Sequence, residues 1–320
     1  MTAPDVAIKR GSAASAGPPD RPRPLVPPRV RLRLGFVRTF LAGWSRVFGL
    51  TGLYALGRLF GTCEYLVDYK RRRRVHGRLK EYFKSRATGS WRRRVARRYF
   101  MRIRCDKMFY TLMDRIPRDT LLRRMEVVGR EHIDAALRRN TGVYVALCHF
   151  GSHHIAGLVM ALLGYSLAGV RDPKESHVRR YIQEKYRRTF PEVAAMTLFY
   201  SDAFPRQLFR FFQDNRIVAS LLDVDRQRGE ILRTHDVSIF GETRQFLTGP
   251  LKIAIRQGAP TLQGFVISLK NFHYQIVITP PLFDPEGVTD PDRTIADALQ
   301  TYADAVEAHA REHPDHLMNI

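Results

Sequence analysis

The sequence predicts a mixed α/β fold: a central sheet flanked by helices, with an amphipathic helical segment ahead of it. Three observations carry this expectation. Residues 143–148 form a short apolar, partly β-branched run, and the helical pattern Ile155, Leu158, Val159, Leu162, Leu163 follows it after a Gly-Ser pair. Further short apolar runs at 217–222, 237–241 and 273–279 recur along the second half of the chain between helix-like segments. At 320 residues the chain is long enough to bury a full α/β core.

In chain order, residues 1–28 are small and proline-rich, with Pro18-Pro19 and Pro27-Pro28, and are expected to be disordered. Residues 36–67 carry Phe40, Leu41, Trp44, Val47, Phe48, Leu59 and Phe60, interrupted by Arg38, Arg46, Arg58 and Glu64. No uncharged stretch here reaches the roughly 20 residues a bilayer span requires. A helix or re-entrant hairpin lying on a bilayer is expected, with an ordinary amphipathic helix packed on the domain as the alternative. Between Lys70 and Lys107 there are 17 basic residues against two acids. Directly after the aromatic segment this reads as a polybasic band for anionic headgroups. A helix is expected at 91–113, a strand at 125–129, a helix at 131–139 and a turn at Asn140-Thr141-Gly142. Beyond the 155–163 helix come a strand at 165–170, a helix at 176–189, a strand at 217–222, and an apolar run at 237–241. A helix starting near Gly249, strands ending at Ile267 and Thr279, and an amphipathic helix at 292–312 complete the chain. The expected organisation is a tail (1–28), membrane-associating helices (29–110) and an α/β domain (111–320).

The formal charge of +22 points to an anionic surface or ligand. Nucleic acid would use the same charge, but no helix-turn-helix, zinc-finger or RNA-recognition signature accompanies it. Cys63, Cys105 and Cys148 are widely separated and lack metal spacing, which suits a reducing compartment. Cys148 reads as a packed strand residue rather than a nucleophile. No cleavable signal peptide precedes the first apolar segment, so the cytosol or the charged side of a membrane is the expected address.

His149 closes the 143–148 strand, at the sheet edge where open α/β folds keep their chemistry. An imidazole there can act as a general base, since its ordinary pKa lies near working pH. A solvated loop histidine is the plain alternative. His153 and His154 follow within five residues and raise a zinc reading, which the Phe-Gly turn and the missing zincin glutamate weaken. Asp223 ends the 217–222 strand and is able to face His149, or to cap the next turn. Arg171 is placed to meet a phosphate. Thr248 is a good N-cap, with Pro250 near the first helical position, and the helix start at Gly249 offers amides to an anion or oxyanion.

His149-Phe150-Gly151 after an apolar strand resembles the His-x4-Asp/Glu block of bacterial lysophospholipid acyltransferases, in the lipid A late (lauroyl/myristoyl) branch. The acidic position of that block falls here on His154. Arg171-Asp172-Pro173-Lys174 resembles an Arg-Pro-Lys-Asn element of the same enzymes. Phe240-Gly241, then Gly249-Pro250, then Gly258-Ala259-Pro260 resemble their later motifs, with Arg244 where a small residue is usual. The resemblance covers roughly residues 40–320. It implies transfer of a fatty acyl group from acyl carrier protein or coenzyme A to a hydroxyl of a membrane lipid, at the cytoplasmic face of a bacterial inner membrane, with no metal or organic cofactor. His149, His154 and Asp223 are the implied catalytic set. Arg171, Lys174, Phe150, Gly151, Phe240, Gly241, Thr248 and Gly249 are the implied substrate contacts. With the motif acid missing, either Asp223 or Asp172 orients His149, or the chain is a weakened homologue that binds lipid or carrier, or the histidines hold a metal.

Overall fold

The computed structural model describes residues 26–171, 176–200, 204–223 and 233–317. In chain order the elements are α1 (Pro28–Val67), α2 (Tyr69–Phe83), α3 (Gly89–Leu112), α4 (Arg118–Leu122), β1 (Met125–Val128), α5 (Arg130–Leu137), β2 (Val143–Leu147) and α6 (His153–Leu162). They continue with β3 (Leu167–Arg171), α7 (His177–Thr189), α8 (Pro191–Ala195), β4 (Thr197–Tyr200), α9 (Phe204–Gln213), β5 (Ile217–Leu221), β6 (Thr234–Ile239), β7 (Glu242–Leu247), α10 (Gly249–Arg256), β8 (Thr261–Ser268), β9 (Tyr274–Ile278) and α11 (Pro291–Glu312).

Seven strands form one sheet in the order β1-β9-β8-β2-β5-β3-β4. Every neighbouring pair is parallel except β8–β9. Both faces are covered, which is why β2 is a nearly continuous apolar run rather than an alternating one. The period of two still shows in what each side chain meets. Val143 and Val145 pack with α6, α7 and α1, whereas Tyr144 and Ala146 pack with α9, α10 and α11. Helix α3 serves both layers: Val95, Tyr99 and Phe100 join the second core, and Met108, Phe109 and Leu112 the first.

The N-terminal region departs from the expected tail at its end and adds detail to the helices expected over 29–110. Residues 1–25 lie outside the described residues, but 26–28 are ordered: Val26 is buried, and α1 starts at Pro28. Proline is favoured at a first helical position because its missing N–H has no partner to lose there. The polybasic stretch is helical, as expected: it spans α2, with Val75, Leu79, Tyr82 and Phe83 inward at helical spacing, and continues into α3. Helix α1 is broken at Gly49, whose φ of 67° leaves the helical region. It docks on α3 at Gly61, where a Cβ would stand 2.5 Å from the Met101 Cα, and on the turn just after α3 through a buried Arg38–Asp114 pair at 2.7 Å. Its outer side exposes Leu32, Phe36, Phe40, Val47, Phe48, Leu59 and Phe60. Among the described residues, no helix is long and apolar enough to cross a membrane.

Candidate active site

β2 and β5 run in register, Leu147 opposite Leu221, so both chains leave the sheet side by side at its carboxyl edge. Two residues further on, each delivers one member of a pair. His149 Nδ1 lies 3.0 Å from Asp223 Oδ1, and the His149 backbone N–H donates to Asp223 Oδ2 at 2.7 Å. One carboxylate therefore clamps both the ring and the main chain of His149. Because an ionised carboxylate only accepts, Nδ1 carries the proton and Nε2 keeps its lone pair. The His149 side chain is 23% exposed and that of Asp223 only 3%, so the imidazole stands at the rim with its acid behind it. This arrangement is able to take a proton from a hydroxyl presented at the edge.

The turn after His149 is held from three sides. Gly151 has φ +61°, and a Cβ there would stand 1.8 Å from the Val266 carbonyl oxygen, so only glycine fits. Its N–H donates to the His316 carbonyl at 3.0 Å. Phe150 is buried against Phe265 and His316, and pairs with Leu317. Ser152 Oγ donates to Asp106 Oδ2 at 2.6 Å. Asp106 is a hub that also accepts from Arg102 (2.9 Å), Ser268 Oγ (2.9 Å) and Tyr274 OH (3.0 Å). Sequence reading missed this residue, since one aspartate inside an arginine-rich helix carries no signal of a buried role. The Tyr302 hydroxyl, also unforeseen, donates to the Leu147 carbonyl at 2.8 Å and fixes the strand end.

His154, expected beside His149, is directed elsewhere. Its Nε2 accepts from the Arg179 guanidinium, and its ring lies 3.9 Å from that of His153 and 5.9 Å from that of Tyr110. The imidazole next to His149 is His153, 6.0 Å away and perpendicular. Burial, reinforced by His149 and Arg179, brings the His153 pKa down to about 3. Burial, then His153, Arg179 and His149, pushes that of His154 well below its usual value. Among the described residues, no group of three or more His, Cys, Asp or Glu side chains is arranged to hold a metal ion. Cys148 is buried, and burial together with the nearby Asp223 carboxylate raises its thiol pKa far above the ordinary value, which suits a packed strand residue.

The remaining expected contacts scatter. Arg171 ends β3 opposite Tyr200, while its side chain, Asp172 and Lys174 lie outside the described residues. Phe240 and Gly241, at φ of 55° and 75°, make the two-residue turn between β6 and β7. Phe240 stacks on Tyr82 at 4.8 Å and donates its N–H to Glu307 at 2.6 Å, a packing role. Arg244 reaches Glu81 at 2.9 Å across the Tyr82 ring. The Leu247 N–H donates to the Leu222 carbonyl at 3.4 Å, bringing the start of α10 beside the Asp223 strand end. Thr248 does not cap α10: its hydroxyl donates instead to the Arg233 carbonyl at 3.1 Å. Gly249, the first residue of α10, has open space where a side chain would be.

The fold and site together define an α/β protein with a histidine–carboxylate pair at the carboxyl rim of parallel strands. Residues 41–319 match the sequence model described as bacterial lipid A biosynthesis acyltransferase, and the chain belongs to that family. It is 30% identical over 136 residues to the phosphatidylinositol mannoside acyltransferase of Mycobacterium tuberculosis, in strains CDC 1551 / Oshkosh and ATCC 25618 / H37Rv. That match covers 42% of this chain and 41% of each relative, so the chain spans about two fifths of the length of the curated relatives it matches. Among solved structures, it is similar to the 1-acyl-sn-glycerophosphate acyltransferase PlsC of Thermotoga maritima, with a TM-score of 0.36 and 15% identity, over 84% of this chain and 98% of that one.

Proposed function

We propose that this protein transfers a fatty acyl group from a thioester, on acyl carrier protein or coenzyme A, to a hydroxyl of a membrane lipid, with His149 as general base. The observation that carries this reading is the clamp of Asp223 on His149, which supplies from β5 the acid that the motif lacks at position 154. His149 Nε2 takes the hydroxyl proton as the oxygen attacks the thioester carbonyl, forming the C–O bond of a tetrahedral intermediate. Collapse breaks the C–S bond, and the imidazolium returns the proton to the departing thiolate. Asp223 holds the tautomer and stabilises the cationic ring. The start of α10 at Gly249 is the candidate support for the oxyanion. Thioester and alcohol supply the reacting groups themselves, so the chemistry calls for no metal or organic cofactor.

The reading also sets the reaction at an anionic membrane surface. The exposed apolar side chains of α1 supply the insertion, and exposed bases of α2 and α3 such as Arg73, Arg74, Arg93 and Arg97 supply the attraction. The cytoplasmic face of the bacterial inner membrane, with peripheral or monotopic attachment, is the proposed location. Lipid mass spectrometry of cells with and without the gene, repeated with His149→Ala, is the test. An acylated lipid that disappears on deletion and is not restored by the variant is expected. Its restoration by His149→Ala, or lipid profiles identical with and without the gene, would overturn the reading.

A further inference from the structure

His149 follows β2, which lies between β5 and β8 in the sheet. From the β5 side Asp223 holds its ring and amide; on the β8 side the turn is held by a carboxylate from outside the sheet. Asp106 belongs to α3, yet its Oδ2 accepts from Ser152 Oγ on the turn (2.6 Å), from Ser268 Oγ at the end of β8 (2.9 Å) and from Arg102 (2.9 Å), while Oδ1 accepts from the Tyr274 hydroxyl (3.0 Å). Tyr274 starts β9 opposite Ser268, so three adjacent strands meet one helix residue at the rim. Burial, then the Asp106 charge, pushes the Tyr274 pKa well above its usual value and keeps that hydroxyl a donor. The bonds also close on themselves. Ser268 donates its N–H to His316 Nε2 at 2.9 Å, and the His316 carbonyl accepts from Gly151, the neighbour of Ser152, at 3.0 Å. Arg102 Nε ties down the same segment at the Asp315 carbonyl, 2.9 Å away. Ser152 forgoes a local bond to join this ring: it is the N-cap of α6, where serine ordinarily accepts from the free amides of the first turn, but here it caps nothing. Stability of α6 alone would favour the cap. Nor does stability call for a buried ion pair, since apolar side chains of similar volume hold a fold as well. A fully bonded polar network adds a single arrangement of its parts.

We propose that Asp106 is a positioning residue for the base: through Ser152 it holds the turn that carries His149, and so fixes where Nε2 stands at the rim. The consequence for rate rests on the acyl-transfer reading; the hold on the ring does not. Two carboxylates then set the imidazole, Asp223 by contact and Asp106 at one remove. A shift of about 1 Å at the reacting atoms costs on the order of 10²-fold in rate, so the remote anchor matters to turnover although it touches no substrate. The helical layer ahead of the α/β domain thereby becomes part of the active-site scaffold, because Asp106 and Arg102 both come from α3.

Ser152→Ala isolates the effect, because it opens the ring and leaves Asp106 its bonds to Arg102, Ser268 and Tyr274. Turnover is followed in the full chain with acyl-coenzyme A and acyl carrier protein thioesters and membranes from cells lacking the gene. In Ser152→Ala kcat should fall about 10–100-fold while the thioester KM stays within about twofold, and Ser152→Thr, which keeps the hydroxyl, should stay within about threefold of the parent. Proton NMR reads the ring without turnover. The Nδ1–H of His149 bonded to Asp223 should give a downfield resonance, assigned by its loss in His149→Ala. It should persist in Ser152→Thr and exchange with water at least about tenfold faster in Ser152→Ala and Asp106→Asn, which a merely structural bond would not bring about in a folded chain. Thermal melts identify a variant that has unfolded; if Asp106→Asn is one, Ser152→Ala decides. A folded Ser152→Ala with the kcat and the resonance of the parent overturns the proposal, as does a parent lacking the resonance, for there is then no held ring to position. Absence of turnover in the parent on either thioester sinks acyl transfer instead, and the exchange rate in Ser152→Ala alone then decides whether Asp106 holds the ring.

Discussion

The two halves of the segment 149–154 are six adjacent residues under opposite electrostatic regimes. From His149 to Ser152 every polar anchor is answered by a partner: Asp223 on the ring and amide of His149, His316 on the Gly151 amide, Asp106 on the Ser152 hydroxyl. At His153 and His154 the neighbours among the described residues include other imidazoles and the Arg179 guanidinium, and His153 Nδ1 is buried with no hydrogen-bond partner among those residues. The difference teaches where the chain spends rigidity. A base must be held in one tautomer and one orientation, as the Asp223 clamp does at His149, whereas burial at His153 and His154 keeps both rings from taking up a proton.

The comparison breaks most sharply at the clamp. His149→Ala should lower acyl transfer about 10⁴-fold, the upper end of what a positioned base contributes. Asp223→Asn should cost roughly 10²–10⁴-fold, because an amide N–H facing Nδ1 forces the wrong tautomer while keeping the shape. Single-turnover rates with a thioester donor measure both; an Asp223→Asn variant within twofold of the parent would remove the acid from the mechanism. The hub comes next. Asp106→Ala removes the nearer acid from the buried Arg102 charge and releases Ser152, Ser268 and Tyr274, so a loss of about 3–5 kcal/mol in urea unfolding is expected. Gly151→Ala forces a side chain into the Val266 carbonyl at positive φ and should cost roughly 1–3 kcal/mol from backbone strain alone. If that variant melts with the parent, the turn is less constrained than its contacts imply.

The pair at the rim is legible in the sequence because each member follows an apolar run: His149 after 143–148 and Asp223 after 217–222. Their adjacency is not, since it depends on β2 and β5 being neighbours, and β3 and β4 intervene in the chain. Helix α2 is legible as part of the helical region expected over 29–110, but its bounds are not: its inward residues Val75, Leu79, Tyr82 and Phe83 have helical spacing, while arginine dominates the composition around them. The β6–β7 hairpin is missed because Phe240 occupies a positive-φ turn position that favours Asn, Asp or Gly, and its place is secured by stacking on Tyr82 instead. Residues 190–216, which hold α8, β4 and α9, show no periodicity strong enough to separate three short elements. The assignment of His154 beside His149 follows from motif spacing alone, which is blind to the direction a side chain takes at the first turn of a helix.

The smallest expected effect lies in the pH dependence of stability. The folded-state pKa of His153 is depressed to about 3 by burial, with His149 and Arg179 adding to it, whereas the unfolded chain titrates near the ordinary histidine value. Between those two pH values the unfolded state binds a proton that the folded state refuses, so stability rises with pH and is lost as pH falls below about 6.5. His154 is shifted in the same direction and adds to the slope. Asp315 contributes only further down: burial opposes its ionisation, but the nearby His316 ring, 3.6 Å away, and the charge of Arg102 hold it at about 2, so its share is lost below the ordinary carboxylate range. Over pH 6.5–5.5, each buried histidine should therefore remove about 1 kcal/mol per pH unit, and His153→Asn should flatten the curve by that amount. Urea unfolding across this window measures it.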